Sequence, residues 1–111
     1  LAMPDGPDTI TLLKDAAAHL QTEVSNDPSD ATAWSQLSAI WTRLNEPIRA
    51  VRAEAESVAA LGDLSGAIDR IQGASRRFRQ PSAADVIELS VMDARMKTWQ
   101  RQLREDMNAK D

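Results

Sequence analysis

The 111-residue chain has no cysteine. That excludes a disulfide framework, a thiolate zinc site and a cysteine nucleophile. Histidine is nearly as scarce: His19 stands alone. A helical zinc hydrolase needs two histidines four residues apart with a glutamate base, so the chain cannot hold that site by itself. His19 lies in an otherwise plain helical stretch and reads as a solvated helix residue. Glycine is also sparse, and GDLSG, which holds Gly62 and Gly66, lacks the spacing and the following lysine of a phosphate-binding loop. No apolar run approaches the ~20 residues of a membrane-spanning helix. Valine and isoleucine never fall into the alternation of a strand.

Charge of one sign is missing as well. The net charge is −4. Residues 1–45 carry two basic groups, Lys14 and Arg43, against six acidic ones, and residues 46–111 balance at eleven of each. Neither half gives the basic footprint of a nucleic-acid binder. What the chain does have is Ala, Leu, Glu, Arg and Gln in a 42% hydrophobic, 27% charged mixture. That composition favours helix.

The apolar residues fall at helical spacing. Residues 1–7, with two prolines and a glycine, predict a flexible tail or linker remnant. Asp8 or Thr9 is the expected cap of a first helix running to about Val24, with Ile10, Leu13, Ala17, Leu20 and Val24 on its buried stripe. SNDPSD then breaks the chain. A second helix is expected from Asp30 or Ala31, burying Trp34, Leu37, Ile40, Trp41 and Leu44. Asn45 and Pro47 mark its end and the next start. A third helix spans about Glu46–Leu61, with Ile48, Val51, Ala55, Val58 and Leu61 as candidates for burial, closed by Gly62. A fourth runs to about Phe78, with Gly66 and Gly73 inside it as points where a neighbouring helix comes close. After Pro81 a long fifth helix is expected from Ser82 to about Ala109, with Leu89, Met92, Met96, Trp99 and Leu103 along one seam.

These helices repeat. Asn45 and Gly62 lie 17 residues apart, each followed by an acid, and a small residue, Ala50 or Ala67, comes five positions after each. Two helices at that pitch make about 34 residues, the length of a tetratricopeptide repeat. The expected fold is therefore all-α: an antiparallel α-α repeat stack, tetratricopeptide-like, with a long C-terminal helix. Residues 8–81 form the repeats and residues 82–111 the capping helix. The third helix closes one repeat and opens the next.

The stretch from Ala33 to Glu105 resembles the C-terminal tetratricopeptide region of periplasmic zinc metalloproteases of the β-barrel assembly-enhancing group. The segments that carry the likeness are Ala33, Trp34 and Leu37 (AW-x-x-L), RAEAESVAALGDLSGAI from Arg52 to Ile68, and DAR at Asp93, Ala94 and Arg95. The likeness implies a non-catalytic interaction module of a larger periplasmic protease, one that positions a substrate or partner protein. The zinc-binding HExxH would lie in a catalytic domain outside this chain, so no catalytic, cofactor or metal-binding residue is assigned here. A chain opening on Leu1 rather than Met fits the same expectation of a piece of a longer protein.

A protein or peptide partner is expected, with no nucleic acid and no membrane insertion, and the chain is expected to be a monomer or a weak homodimer. The second and third helices are expected to line the binding surface. The partner-binding candidates are Gln36, Arg43, Arg52 and Glu56, with Trp99 on the last helix as a further contact. The glutamates Glu54 and Glu56 beside Arg52 otherwise read as a solvated face. Arg70, Arg76, Arg77 and Arg79 read as cations offsetting a helix C-terminus.

Overall fold

A computed structural model of the chain describes residues 6–78 and 82–109. These form five helices: α1 (Pro7–Asn26), α2 (Ala31–Arg43), α3 (Pro47–Ala60), α4 (Leu64–Arg77) and α5 (Ala83–Ala109). Each helix packs on the next, and α5 also packs back on α3. The fold is an all-α repeat-like stack with a long C-terminal helix, 56 × 31 × 24 Å overall.

Two turns explain the antiparallel path. After α2, Asn45 adopts φ 59°; its N–H donates to the Thr42 carbonyl, and the Glu46 N–H reaches back to Trp41 at 2.9 Å. After α3, Gly62 adopts φ 95°; its N–H donates to Ala59 and the Asp63 N–H to Val58. Both are Schellman closures, in which a left-handed residue satisfies the last carbonyls of a helix. Every donor and acceptor in the second turn is the counterpart of one in the first, 17 residues on. The repeat read from residue types is thus also a repeat of backbone hydrogen bonds.

Helix starts follow from single side chains. The Asp30 carboxylate accepts the Ala33 N–H at 3.0 Å, and Asp63 accepts that of Gly66 at 2.9 Å. Ser82 and Asp85 bond reciprocally at the head of α5. The first helix departs from expectation. It starts at Pro7, with Gly6 as its cap, because proline suits a first-turn position where its missing N–H costs nothing. Pro7 therefore belongs to the helix, while the rest of the expected tail, residues 1–5, lies outside the described residues.

The apolar stripes meet in two clusters. Ala17, Val24, Ala33, Trp34, Leu37 and Ala53 join α1, α2 and α3. Ile48, Ala55, Ala67, Ile68, Ile71, Ala74, Met92 and Trp99 join α3, α4 and α5. The alanines bring the backbones together, since helices 8–10 Å apart need a thin face. At one such crossing the Ser38 hydroxyl of α2 donates to the Ala50 carbonyl of α3 at 2.8 Å.

Four packing expectations are corrected. Ile10 is 38% exposed, at the open head of α1. Leu61 is 76% exposed, because the Schellman turn carries it past the end of the buried stripe. A Cβ at Gly66 would collide with the Asp63 carboxylate, so this glycine serves the cap of its own helix rather than a neighbouring helix. At Gly73 a Cβ would meet nothing within 4 Å, and no close approach requires it.

Candidate functional site

α3 lies between α1 and α5 on one side of the molecule, and the gap above it is a continuous trough. The first cavity, about 700 Å³, is lined by residues that include Ile10, Lys14, Trp41, Arg43, Glu46 and Arg49. It shares Lys14, Trp41 and Arg49 with a second of about 360 Å³, where Gln21, Arg52 and Glu88 also converge. The second shares Gln21 and Arg52 with a third, whose lining includes Trp34, Glu56 and Arg95. The third shares Pro28, Glu56 and Arg95 with a fourth that ends near Gly62, Trp99 and Asp106. The trough thus follows α3 from Glu46 to Gly62. At a rise of ~1.5 Å per residue this is about 24 Å.

Its walls come from α1 and α5 and its floor from α3, with the two tryptophans of α2 beneath. Helical periodicity makes this possible. Arg49, Arg52 and Glu56 recur at intervals of three and four residues and so share one face of α3. Trp34 and Trp41, seven residues apart, share one face of α2. The Trp34 indole N–H donates to the Pro28 carbonyl at 2.9 Å and fixes the ring. Arg52 lies over Trp34 at 5.7 Å from the ring centroid, and Arg49 over Trp41 at 4.9 Å.

The two ends of the trough differ in their ion pairs. Arg95 grips Glu56 in a bidentate pair, with Nε donating to Oε2 at 2.7 Å and a terminal nitrogen to Oε1 at 3.1 Å. The Glu56 side chain is only 6% exposed, and the Arg95 guanidinium also stacks over Trp99. At the other end Glu88 faces both Arg49 and Arg52, at 3.9 and 3.7 Å. These distances leave attraction without a hydrogen bond. Among the described residues, Nε of Arg52 is buried and has no hydrogen-bond partner.

The candidate residues divide accordingly. Arg52 and Glu56 line the trough, and Arg43 lines its first cavity. Gln36 is exposed on α2 and lines none of the four cavities. Trp99 is 3% exposed and belongs to the core, with only an edge toward the last cavity. The second and third helices both line the trough, α2 through Trp34, Trp41 and Arg43, and α1 and α5 add the walls that the sequence did not indicate. Glu56 is not part of a solvated face, although Glu54 is, paired with Arg70 at 3.0 Å. Arg76 and Arg77 do fall in the last turn of α4, whereas Arg79 lies outside the described residues.

Lys14, Gln21, Glu88 and Arg95 were missed as groove residues. The heptad-like recurrence of Lys14 and Gln21 on α1, with Glu88 and Arg95 likewise seven apart on α5, was the available signal. Among the described residues no three His, Cys, Asp or Glu side chains group together as a metal site would require, and no helix is long and apolar enough to cross a membrane. Comparison with protein-family models, curated proteins and solved structures gives no match.

Proposed function

We propose that the chain is a non-catalytic, tetratricopeptide-like protein-interaction module that holds an extended segment of a partner protein along the trough. The observation that carries this reading is the continuity of four cavities through shared lining residues. A trough of about 24 Å accepts roughly seven extended residues at ~3.3–3.6 Å each. Half-buried arginines held over tryptophan rings supply both apolar and polar contact at little entropic cost. Panning a random peptide library on the immobilised chain, then titrating a selected peptide into the labelled protein, tests it. Amide shifts should concentrate at Ala18, Gln21, Ala59 and Ala60. No selected peptide, or shifts confined to the outer faces of α2 and α4, would overturn the reading.

Within this reading the parent is a periplasmic zinc metalloprotease of the β-barrel assembly-enhancing group, with zinc held in a domain outside this chain. The support is the likeness of the RAE and DAR segments, and the Glu56–Arg95 pair gives those two segments a reason to occur together. An upstream reading frame that encodes no HExxH domain would remove the protease link. A second reading, a stand-alone helical scaffold or chaperone adaptor that dimerises through α5, draws on the exposure of Val86 and Ile87 there. Sedimentation of the wild type against Ile87→Glu decides it. A monomer in both discards the dimer.

A further inference from the structure

We infer that the Arg49–Arg52 end of the trough is a carboxylate-binding site, and that the trough's occupant is an acidic segment whose carboxylate displaces Glu88. The inference rests on the groove-binding reading above and names the chemistry of its ligand. Two guanidinium groups stand one turn apart on α3, each held over its own tryptophan ring. The packing fixes their positions before anything binds, so little side-chain entropy remains to be lost. Their donors are nevertheless unspent. Glu88 approaches to 3.7 and 3.9 Å, outside hydrogen-bond range, and Nε of Arg52 is buried without an acceptor.

The other end of the same trough shows what a satisfied arginine looks like in this fold, with bonds of 2.7 and 3.1 Å to Glu56. Glu88 therefore offsets the charge of the site without closing it. Lys14 adds a cation from the facing wall of α1, and the cavity these groups surround measures about 360 Å³. This basic lining stands in a chain of net charge −4, so the complementarity is local and favours an acidic partner segment. A carboxylate seated in the place Glu88 leaves accepts charge-assisted hydrogen bonds from both guanidinium groups.

The probe is a fluorescein-labelled peptide of alternating Asp and Leu, compared with its Asn and Leu counterpart, titrated into the full chain and followed by anisotropy. The acidic peptide should bind at least about tenfold more tightly than the amide peptide. Arg49→Gln and Arg52→Gln should each erase most of that difference. Glu88→Gln should tighten acidic-peptide binding several-fold, an effect no merely structural role of Glu88 would produce. Thermal unfolding of each variant checks that it folds, and Arg49→Gln, the more exposed substitution, keeps the test valid should Arg52→Gln fail to fold. Equal binding of both peptides with shifts in the trough would overturn the carboxylate site and leave the groove reading standing. Failure of both peptides to bind would overturn the carboxylate site, while library-selected peptides still report on the groove. Weaker acidic binding in Glu88→Gln would also overturn it.

Discussion

The two ends of the trough are built from the same parts and finished differently. Each has an arginine over a tryptophan and a glutamate within ion-pair range. At the end near Gly62 the carboxylate is buried and doubly hydrogen-bonded by Arg95. At the end near Arg49 the carboxylate of Glu88 is shared at a distance between two arginines. A buried charge must be paired where it sits, because an orphaned one costs several kcal/mol. A partly exposed charge keeps water as an alternative and can exchange partners. One end therefore holds the stack together, and the other is left open to a ligand.

This contrast can be broken experimentally, and the largest effect belongs to the closed end. Trp99→Ala removes a ring that is 3% exposed and should destabilise the chain by about 4 kcal/mol in denaturant unfolding. A cost near zero would mean that the ring is not in the core. Arg95→Ala should cost about 2 kcal/mol, because it leaves Glu56 buried and unpaired; the figure is set below that of a fully buried pair since the Arg95 side chain is 39% exposed. Arg95→Lys should recover only part of this, a lysine having no fork to match the carboxylate.

The caps of α2 and α4 serve as controls. Asp30→Ala and Asp63→Ala each lose one carboxylate bond to a backbone N–H and should each cost about 1 kcal/mol. Unequal costs would mean that the two halves differ generally, not only in their ion pairs. The smallest effect is expected at the open end, where Glu88→Gln should change stability by about 0.5 kcal/mol or less. A loss as large as that of Arg95→Ala would erase the distinction between the ends.

Much of the fold was legible because its signals are local. Asn45, Gly62, Asp30 and Asp63 each act within one turn of helix, so residue type and spacing located the ends of α2, α3 and α4 to within a residue or two. The seam of α5 was equally plain. Its Met92 and Trp99 are buried, and Leu89, Met96 and Leu103 pack alongside. The misses share a cause. Glu56 looked solvated because its partner lies 39 residues away, beyond the reach of any local pattern. The lining of the trough depends on α5 returning to α3, a contact that periodicity does not reveal. Trp99 fitted both the capping seam and a partner contact, because a terminal seam gives no sign of which helix covers it. Only the recurrence of Lys14 with Gln21 and of Glu88 with Arg95 carried a hint of the walls.

The third helix has one further consequence. It gives Ala53 to one cluster and Ile48 and Ala55 to the other, so two of its faces are buried while Arg49 and Arg52 face the trough. Neither half can melt without stripping a side of this same helix, which couples the halves into one cooperative unit although their side-chain clusters are separate. A ligand lying along α3 would bear on that shared element, and occupancy at the open end would be felt as stability at the closed end.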